Sequence, residues 1–320
     1  MAKKLTIAVF GATGAQGGSV ANTFLHDAKL KNDWTVRAVT RDITKPSAAK
    51  LREQGAEVVS ADMNSPATLL EAMTGAYAVY AVTNYWESLD AAVEERQGKA
   101  LADAAITAGV QHFIFSSLMN MSELSKGRLP HIHHFDSKAH VESYIRTTPL
   151  PATFFMPGFY MPNIVSSQMR LDADTGAWTF SLPVPPATRI PLFNPADTGK
   201  FVAAAVLQRE ATLGRRILGA SEYLTCEGVV EGFRRAFPES GRGARYKQVG
   251  EGEYRDKLVG KGMRGDVAQE VLENMLMLVD PGYYGGEGLE ESLALVRGAG
   301  FGVVRWEEFV KGAKGWEGLR

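Results

Sequence analysis

Cysteine is nearly missing from this chain: one residue, Cys226, among 320. A single thiol excludes an internal disulfide and a cysteine-rich zinc site, and it fits a reducing compartment. Net charge is nearly missing too. The 35 Lys and Arg face 36 Asp and Glu, so the formal net charge is -1. No global basic field exists to collect nucleic acid, and direct nucleic-acid binding is not expected. No apolar run is long enough to span a bilayer. Internal repeats and low-complexity segments are lacking. The opening residues Met1 to Leu5 lead straight into a strand-like run without the apolar core of a secretory leader. A soluble cytoplasmic protein is expected, with the nucleus as a second location. What is present is ordinary globular composition: 45% hydrophobic and 22% charged residues. That excludes disorder as the dominant state. The length suits one large domain or two ordinary ones.

The first half alternates strand-like and helix-like segments. Strands are read at 5–10, 35–40, 57–60, 76–82, 113–116 and 152–156. Helices are read at 19–28, 47–54, 66–73, 89–108 and 137–146, with Ser65 as a cap and Pro66 at a first helical position. This rhythm indicates βαβ units and a Rossmann-type, doubly wound parallel sheet in the order 3-2-1-4-5-6. After Pro157 the rhythm breaks. The prolines at 183, 185, 186, 191 and 195 favour an extended connection. Asp197 then reads as the cap of a helix to about Gln208 that returns to the sheet. Further on, 267–278 reads as a Met-rich helix with Asp266 as cap, and 306–314 as a last short helix. The expected domains are 1–165, with 187–210 returning to it, and a smaller, mixed α/β C-terminal domain, 166–320, covering a cleft.

The strongest motif is Gly11-Ala12-Thr13-Gly14-Ala15-Gln16-Gly17, after the first strand and opening the first helix. Gly11 permits the tight turn, Gly14 lets backbone approach a pyrophosphate, and Gly17 allows close helix–strand packing. The end of the second strand reads Thr40-Arg41-Asp42-Ile43-Thr44-Lys45. A guanidinium there can grip a ribose 2′-phosphate bidentately, with Lys45 in reach, so NADP is favoured. Asp42 could instead accept from a ribose hydroxyl, which keeps NAD open.

Together with Val82-Thr83-Asn84-Tyr85-Trp86-Glu87-Ser88, His134-Phe135-Asp136-Ser137-Lys138 and Pro157-Gly158-Phe159-Tyr160, these segments resemble the NmrA-like family, atypical relatives of the short-chain dehydrogenases/reductases. The likeness is strong over 5–165 and weak beyond about 210. It implies an NADP(H)-binding sheet domain with a smaller domain over the cleft. By position, Gly11, Thr13, Gly14, Ala15, Gln16 and Gly17 would meet the pyrophosphate. Arg41 and Lys45 would hold the 2′-phosphate, and Asp62 and Met63 would flank the adenine. Thr83, Asn84 and Tyr85 would line the middle of the cofactor. Lys138 would reach the nicotinamide ribose, with Pro157, Phe159 and Tyr160 closing over the nicotinamide.

The resemblance also exposes a departure. Catalytic short-chain dehydrogenases use a Ser–Tyr–Lys set in which lysine tunes the tyrosine that moves the proton. Here Lys138 is kept, His134 stands at the tyrosine position, and Ser116 and Ser117 lie in the serine neighbourhood. The proton donor is replaced, as in non-catalytic sensors of the family, yet histidine is itself an acid and base near neutral pH. The first functional expectation is a regulatory protein that senses NADPH/NADP redox state through cofactor-dependent binding of a protein partner. The alternative is an NADPH-dependent reductase of a carbonyl, enone, quinone or imine. In that case Lys138 acts with His134 or Tyr85. His131, His133 and His134 could bring two rings to one face of an extended segment, but no metal is expected. Cys226 reads as a buried small hydrophobe sooner than a redox thiol, and Met275 and Met277 as core or cleft lining. Tyr283 and Tyr284 read as a lid or a partner surface. Oligomeric state is left open, a homodimer included.

Overall fold

The computed structural model describes residues 3–320. Short β-branched and aromatic runs form seven parallel strands. These are β1 (Leu5–Phe10), β2 (Trp34–Thr40), β3 (Glu57–Ser60), β4 (Ala78–Ala81), β5 (His112–Ser116), β6 (Ala152–Pro157) and β7 (Arg216–Gly219). Their order is β7-β6-β5-β4-β1-β2-β3. The expected six-strand order is kept, and β7, unread in the sequence, adds one strand beyond β6.

Alternation sorts β1 between two cores. Ile7 and Val9 pack with Val20 and Phe24 of α1 (Ala15–His26). Ala8 and Phe10 pack with Leu101 of α2 (Ala91–Thr107) and Val141 of α3 (His133–Arg146). On the α1 side lies α4 (Thr198–Leu207), the returning segment. Ser19 ties it down: its hydroxyl donates to Ala196 O at 2.6 Å and accepts from Gly199 N–H at 3.0 Å. Asp197 precedes α4 but does not cap it by side chain. Its carboxylate accepts from Val304 N–H at 2.8 Å and pairs with Lys200 at 2.6 Å.

Two three-stranded sheets extend the fold. One joins Glu222–Thr225, Arg189–Phe193 and Phe159–Tyr160; the other joins Arg245–Gln248, Trp178–Leu182 and Met169–Leu171. They share a third core with α5 (Gly265–Leu276) and the Trp306–Lys311 helix. The helices Cys226–Ala236, Glu251–Gly260 and Glu290–Gly298 went unread in the sequence.

Several boundaries moved for physical reasons. Leu89 is not helical: it sits at φ +52 after the short Tyr85–Ser88 helix. Asp90 caps α2 instead, accepting from Ala92 N–H at 2.8 Å and Val93 N–H at 3.3 Å. Helix α3 starts at His133, four residues earlier than read, because its first turn is capped from a distance. His134 N–H donates to Glu270 at 2.9 Å. Ser65 and Asp266 fail as side-chain caps. The Ser65 side chain makes no cap bond, and Asp266 lies inside α5, paired with Arg264 at 2.5 Å. No helix among the described residues is long and apolar enough to cross a membrane.

Candidate functional site: a cleft at the strand ends

The carboxyl ends of β1, β2, β3, β4 and β6 open into one cleft at the switch point between β1 and β4, where doubly wound sheets bind ligands. Its cavity is about 1150 Å³. Every residue named from the sequence for the cofactor, and His134 with them, reaches its wall. Gly11, Thr13, Gly14, Ala15, Gln16 and Gly17 follow β1, and Arg41 and Lys45 follow β2. Asp62 and Met63 follow β3, and Thr83, Asn84 and Tyr85 follow β4. His134 and Lys138 come from α3, and Pro157, Phe159 and Tyr160 from the end of β6.

The glycine turn is shaped by close approach. Gly11 has φ +65, and a Cβ there would meet Val82 Cγ1 at 2.9 Å. A Cβ on Gly17 would lie 2.3 Å from Gly11 O and 2.7 Å from Phe10 O. Helix α1 therefore starts hard against the strand. Its first turn has no side-chain cap and no acidic residue, so its N–H groups are available to an anion. Gln16 is partly spent on structure: its Oε1 accepts from Tyr80 at 2.6 Å and Ser116 at 2.9 Å.

Beyond β2, Arg41 pairs with Glu87, which holds the guanidinium pKa above its ordinary value. The Asp42 carboxylate accepts from Thr44 Oγ1 at 2.6 Å and Thr44 N–H at 2.9 Å, and these bonds lower its pKa.

The replaced proton-transfer set is rearranged rather than vacant. Lys138 Nζ donates to Thr83 Oγ1 at 2.8 Å, to Thr83 O at 3.2 Å and to Glu94. Glu94, 1% exposed, also accepts from the Ser137 and Thr83 hydroxyls. The ammonium's three donors are thus all committed. Ser116 and Ser117 do not serve the site in the expected way: they are buried and donate to Gln16 and to Glu142.

His134 packs on Trp86, with ring centroids 4.7 Å apart, and its Nδ1 lies 2.6 Å from Glu270 Oε1. Its Nε2 has no hydrogen-bond partner among the described residues and is not sealed off. The Tyr85 hydroxyl donates to Glu270 Oε2 at 2.8 Å. Burial first, then Glu270, raises the Tyr85 pKa well above its usual value. Burial alone would raise the Glu270 pKa. The His134 contacts outweigh it and hold the carboxyl below its ordinary range, so it is ionised at neutral pH.

The far wall of the cleft comes from the C-terminal half. Helix Glu251–Gly260 supplies Tyr254, Lys257 and Leu258; α5 supplies Val271, Asn274 and Met275. Two amide oxygens on this wall, Gln168 Oε1 and Asn274 Oδ1, are buried without a hydrogen-bond partner among the described residues. Met277 is core.

Two readings from the sequence change here, and the reading of Cys226 as a buried small hydrophobe is kept. Tyr283 and Tyr284 are neither lid nor exposed surface. Both are buried, donating to Pro157 O at 3.1 Å and Met156 O at 3.0 Å, and Tyr283 lines the cleft. The histidines do not share one face of an extended segment. His131 turns to Glu273 at 2.5 Å, while His133 and His134 open α3. Cys226 is fully buried, which pushes its thiol up to about 11, so it stays protonated at neutral pH and is packing material.

Sequence reasoning missed Glu94 and Glu270. Each is a buried carboxylate in a helix that also buries Leu101 and Ala102 or Ala268 and Leu272. For Glu94, seven residues before Leu101, an acid within the apolar stripe was the signal that could have found it; Glu270 lies off the stripe of Ala268, Leu272 and Met275 and carried no such signal.

The profile of the NmrA-like family matches residues 3–309. The chain belongs to that family. The match runs well past residue 210, so it includes the C-terminal wall of the cleft. The NmrA-like family domain-containing oxidoreductase malD of Malbranchea aurantiaca is 31% identical over 260 residues, 76% of each chain. Among solved structures, NmrA, a negative transcriptional regulator in complex with NADP, is similar at TM-score 0.78 and 24% identity, over 97% of this chain and 95% of that one. The Citrobacter sp. triphenylmethane reductase complexed with NADP(H) is similar at TM-score 0.73 and 20% identity, over 97% and 100%. This NmrA-like fold thus serves both a regulator and a reductase among its neighbours.

Proposed function

We propose that the chain binds NADP(H) in this cleft and reduces a carbonyl, enone, quinone or imine, with His134 giving the proton. The observation that carries this reading is His134 itself, on the cleft wall with Nδ1 held by Glu270 and Nε2 unpartnered. The residues fit the cofactor. The glycine turn leaves room for pyrophosphate at the uncapped α1 terminus. Arg41 and Lys45 offer positive charge for a 2′-phosphate, and Asp42 is engaged with Thr44 rather than free for a ribose. The cavity exceeds the usual range for one small ligand, which leaves space for a substrate beside a dinucleotide.

Bound NADPH would supply a hydride to an electron-poor carbon of the substrate. The π electrons then move to the substrate heteroatom, or its conjugated position, which takes one proton from His134 Nε2. Solvent returns that proton to His134 before the next turnover. Glu270 holds the ring through Nδ1 during these steps. Tyr85 is a poorer donor, because its hydroxyl is committed to Glu270 and its pKa is raised. Lys138 orients Thr83 and the strand-end backbone instead of polarising substrate directly.

Titration calorimetry with NADPH, NADP, NADH and NAD, followed by NADPH consumption with a panel of quinones, enones, aldehydes and cyclic imines, tests the reading. Consumption is expected. His134→Ala should lower kcat about 100-fold while keeping NADPH affinity within about twofold. Tight binding with no consumption on any substrate class overturns it.

That result would favour the second reading, a redox sensor with a protein partner. One observation supports it: the retained lysine is saturated by Thr83 and Glu94. Cofactor choice has its own test. Arg41→Ala should weaken NADPH at least tenfold and leave NADH unchanged, by calorimetry. Glu87→Gln should tighten NADPH about threefold, since Glu87 competes with phosphate for Arg41.

A further inference from the structure

Glu270 is out of place in α5 by burial alone. It is 2% exposed, in a helix that also buries Ala268, Leu272 and Met275. An ionised carboxylate survives there only when its oxygens are hydrogen-bonded. They are. Oε1 accepts from His134 N–H at 2.9 Å and faces His134 Nδ1 at 2.6 Å; Oε2 accepts from Tyr85 at 2.8 Å. One turn further, Glu273 repeats the arrangement with His131, at 2.8 Å to the backbone N–H and 2.5 Å to Nδ1. The two pairs dock α5 on the start of α3. Of the two rings only His134 lines the main cleft; His131 lines a separate, smaller hollow, where Glu270 also comes to the wall.

We infer that Glu270 is the positioning residue for proton transfer by His134. It holds the neutral ring in the tautomer with Nδ1 protonated and Nε2 bare. The inference rests on the reductase reading for its consequence in turnover, but not for the tautomer. The sheet half supplies the ring and the C-terminal half supplies the carboxylate. The acid is therefore complete only while α5 is docked over the cleft. Tyr85 is the second tether, fixing the carboxylate so that Oε1 points at His134.

A helix cap with no further role is the competing explanation, since Glu270 also satisfies a first-turn N–H of α3. Histidine-selective ¹⁵N labelling separates the two. The wild type at alkaline pH should show His134 with Nδ1–H, its signal identified by its loss in His134→Asn. Glu270→Ala should move the neutral ring to the Nε2–H form. Glu270→Gln, which keeps an acceptor for both N–H groups, should retain the Nδ1–H form and lose only the charge. In NADPH-consumption assays Glu270→Ala should lower kcat at least tenfold, Glu270→Gln less, with NADPH affinity within about twofold for both. Thermal unfolding checks that each variant is folded. An Nε2–H ring in the wild type, or an unchanged tautomer in folded Glu270→Ala, overturns the inference and leaves the reductase reading standing. The expected tautomer switch in a protein that consumes no NADPH supports the positioning and overturns the reductase reading.

Discussion

Gly17→Ala should abolish useful cofactor binding, with a loss of NADPH affinity on the order of 100-fold and of stability near 3 kcal/mol. The added methyl would stand 2.3 Å from Gly11 O and 2.7 Å from Phe10 O. Both obstacles are backbone, so no side chain can swing away. Helix α1 must lift off the strand, and its first-turn N–H groups leave the position where they would meet a pyrophosphate. Losing about two hydrogen bonds to a charged group accounts for the affinity. Gly250→Ala is the matched control: nothing lies within 4 Å of its added Cβ, and its φ is -68. Calorimetry and urea unfolding on both proteins make the comparison. Unchanged NADPH affinity in a folded Gly17→Ala protein would remove the glycine turn from the cofactor site.

Glu94→Gln should be the most destabilising conservative change in the cleft, costing about 3–5 kcal/mol in urea unfolding. Glu94 is the one carboxylate bonded to the Lys138 ammonium, and it also receives the Ser137 and Thr83 hydroxyls. Gln keeps the shape and removes the charge, leaving a buried ammonium with only Thr83 for company. Adding Lys138→Met should recover more than half of the loss, because the orphaned charge is then gone. The double variant carries functional information as well. If it still consumes NADPH, the lysine ammonium is structural. If turnover vanishes while His134 and the fold are intact, Lys138 has a direct role in the chemistry.

The cofactor side of the cleft was readable because its signals are local. Gly11, Gly14 and Gly17 answer to a turn and a close approach within seven residues, and Arg41 follows a strand whose apolar run is visible by itself. The sheet order followed from right-handed crossovers applied to six such runs. Features decided at a distance were unreadable. The start of α3 depends on Glu270, which lies 136 residues from His134. Strand β7 is four residues long and became a strand only by pairing with β6. Tyr283 and Tyr284 sit in a glycine-rich stretch that looks like a surface loop, yet both hydroxyls bond the end of β6.

The sequence by itself determined the class of fold and the phosphate-binding turn, because hydrophobic period and glycine placement act over a few residues. The resemblance it carries also set His134 where a short-chain dehydrogenase would have its tyrosine, with Lys138 as the lysine. Only the tertiary structure decided what those two residues are. It spent the lysine on Glu94 and Thr83, and it gave the histidine a carboxylate from another helix. The reason is physical: the bonding of a buried polar group is set by whichever partner the packing delivers, and that partner has no fixed spacing along the chain.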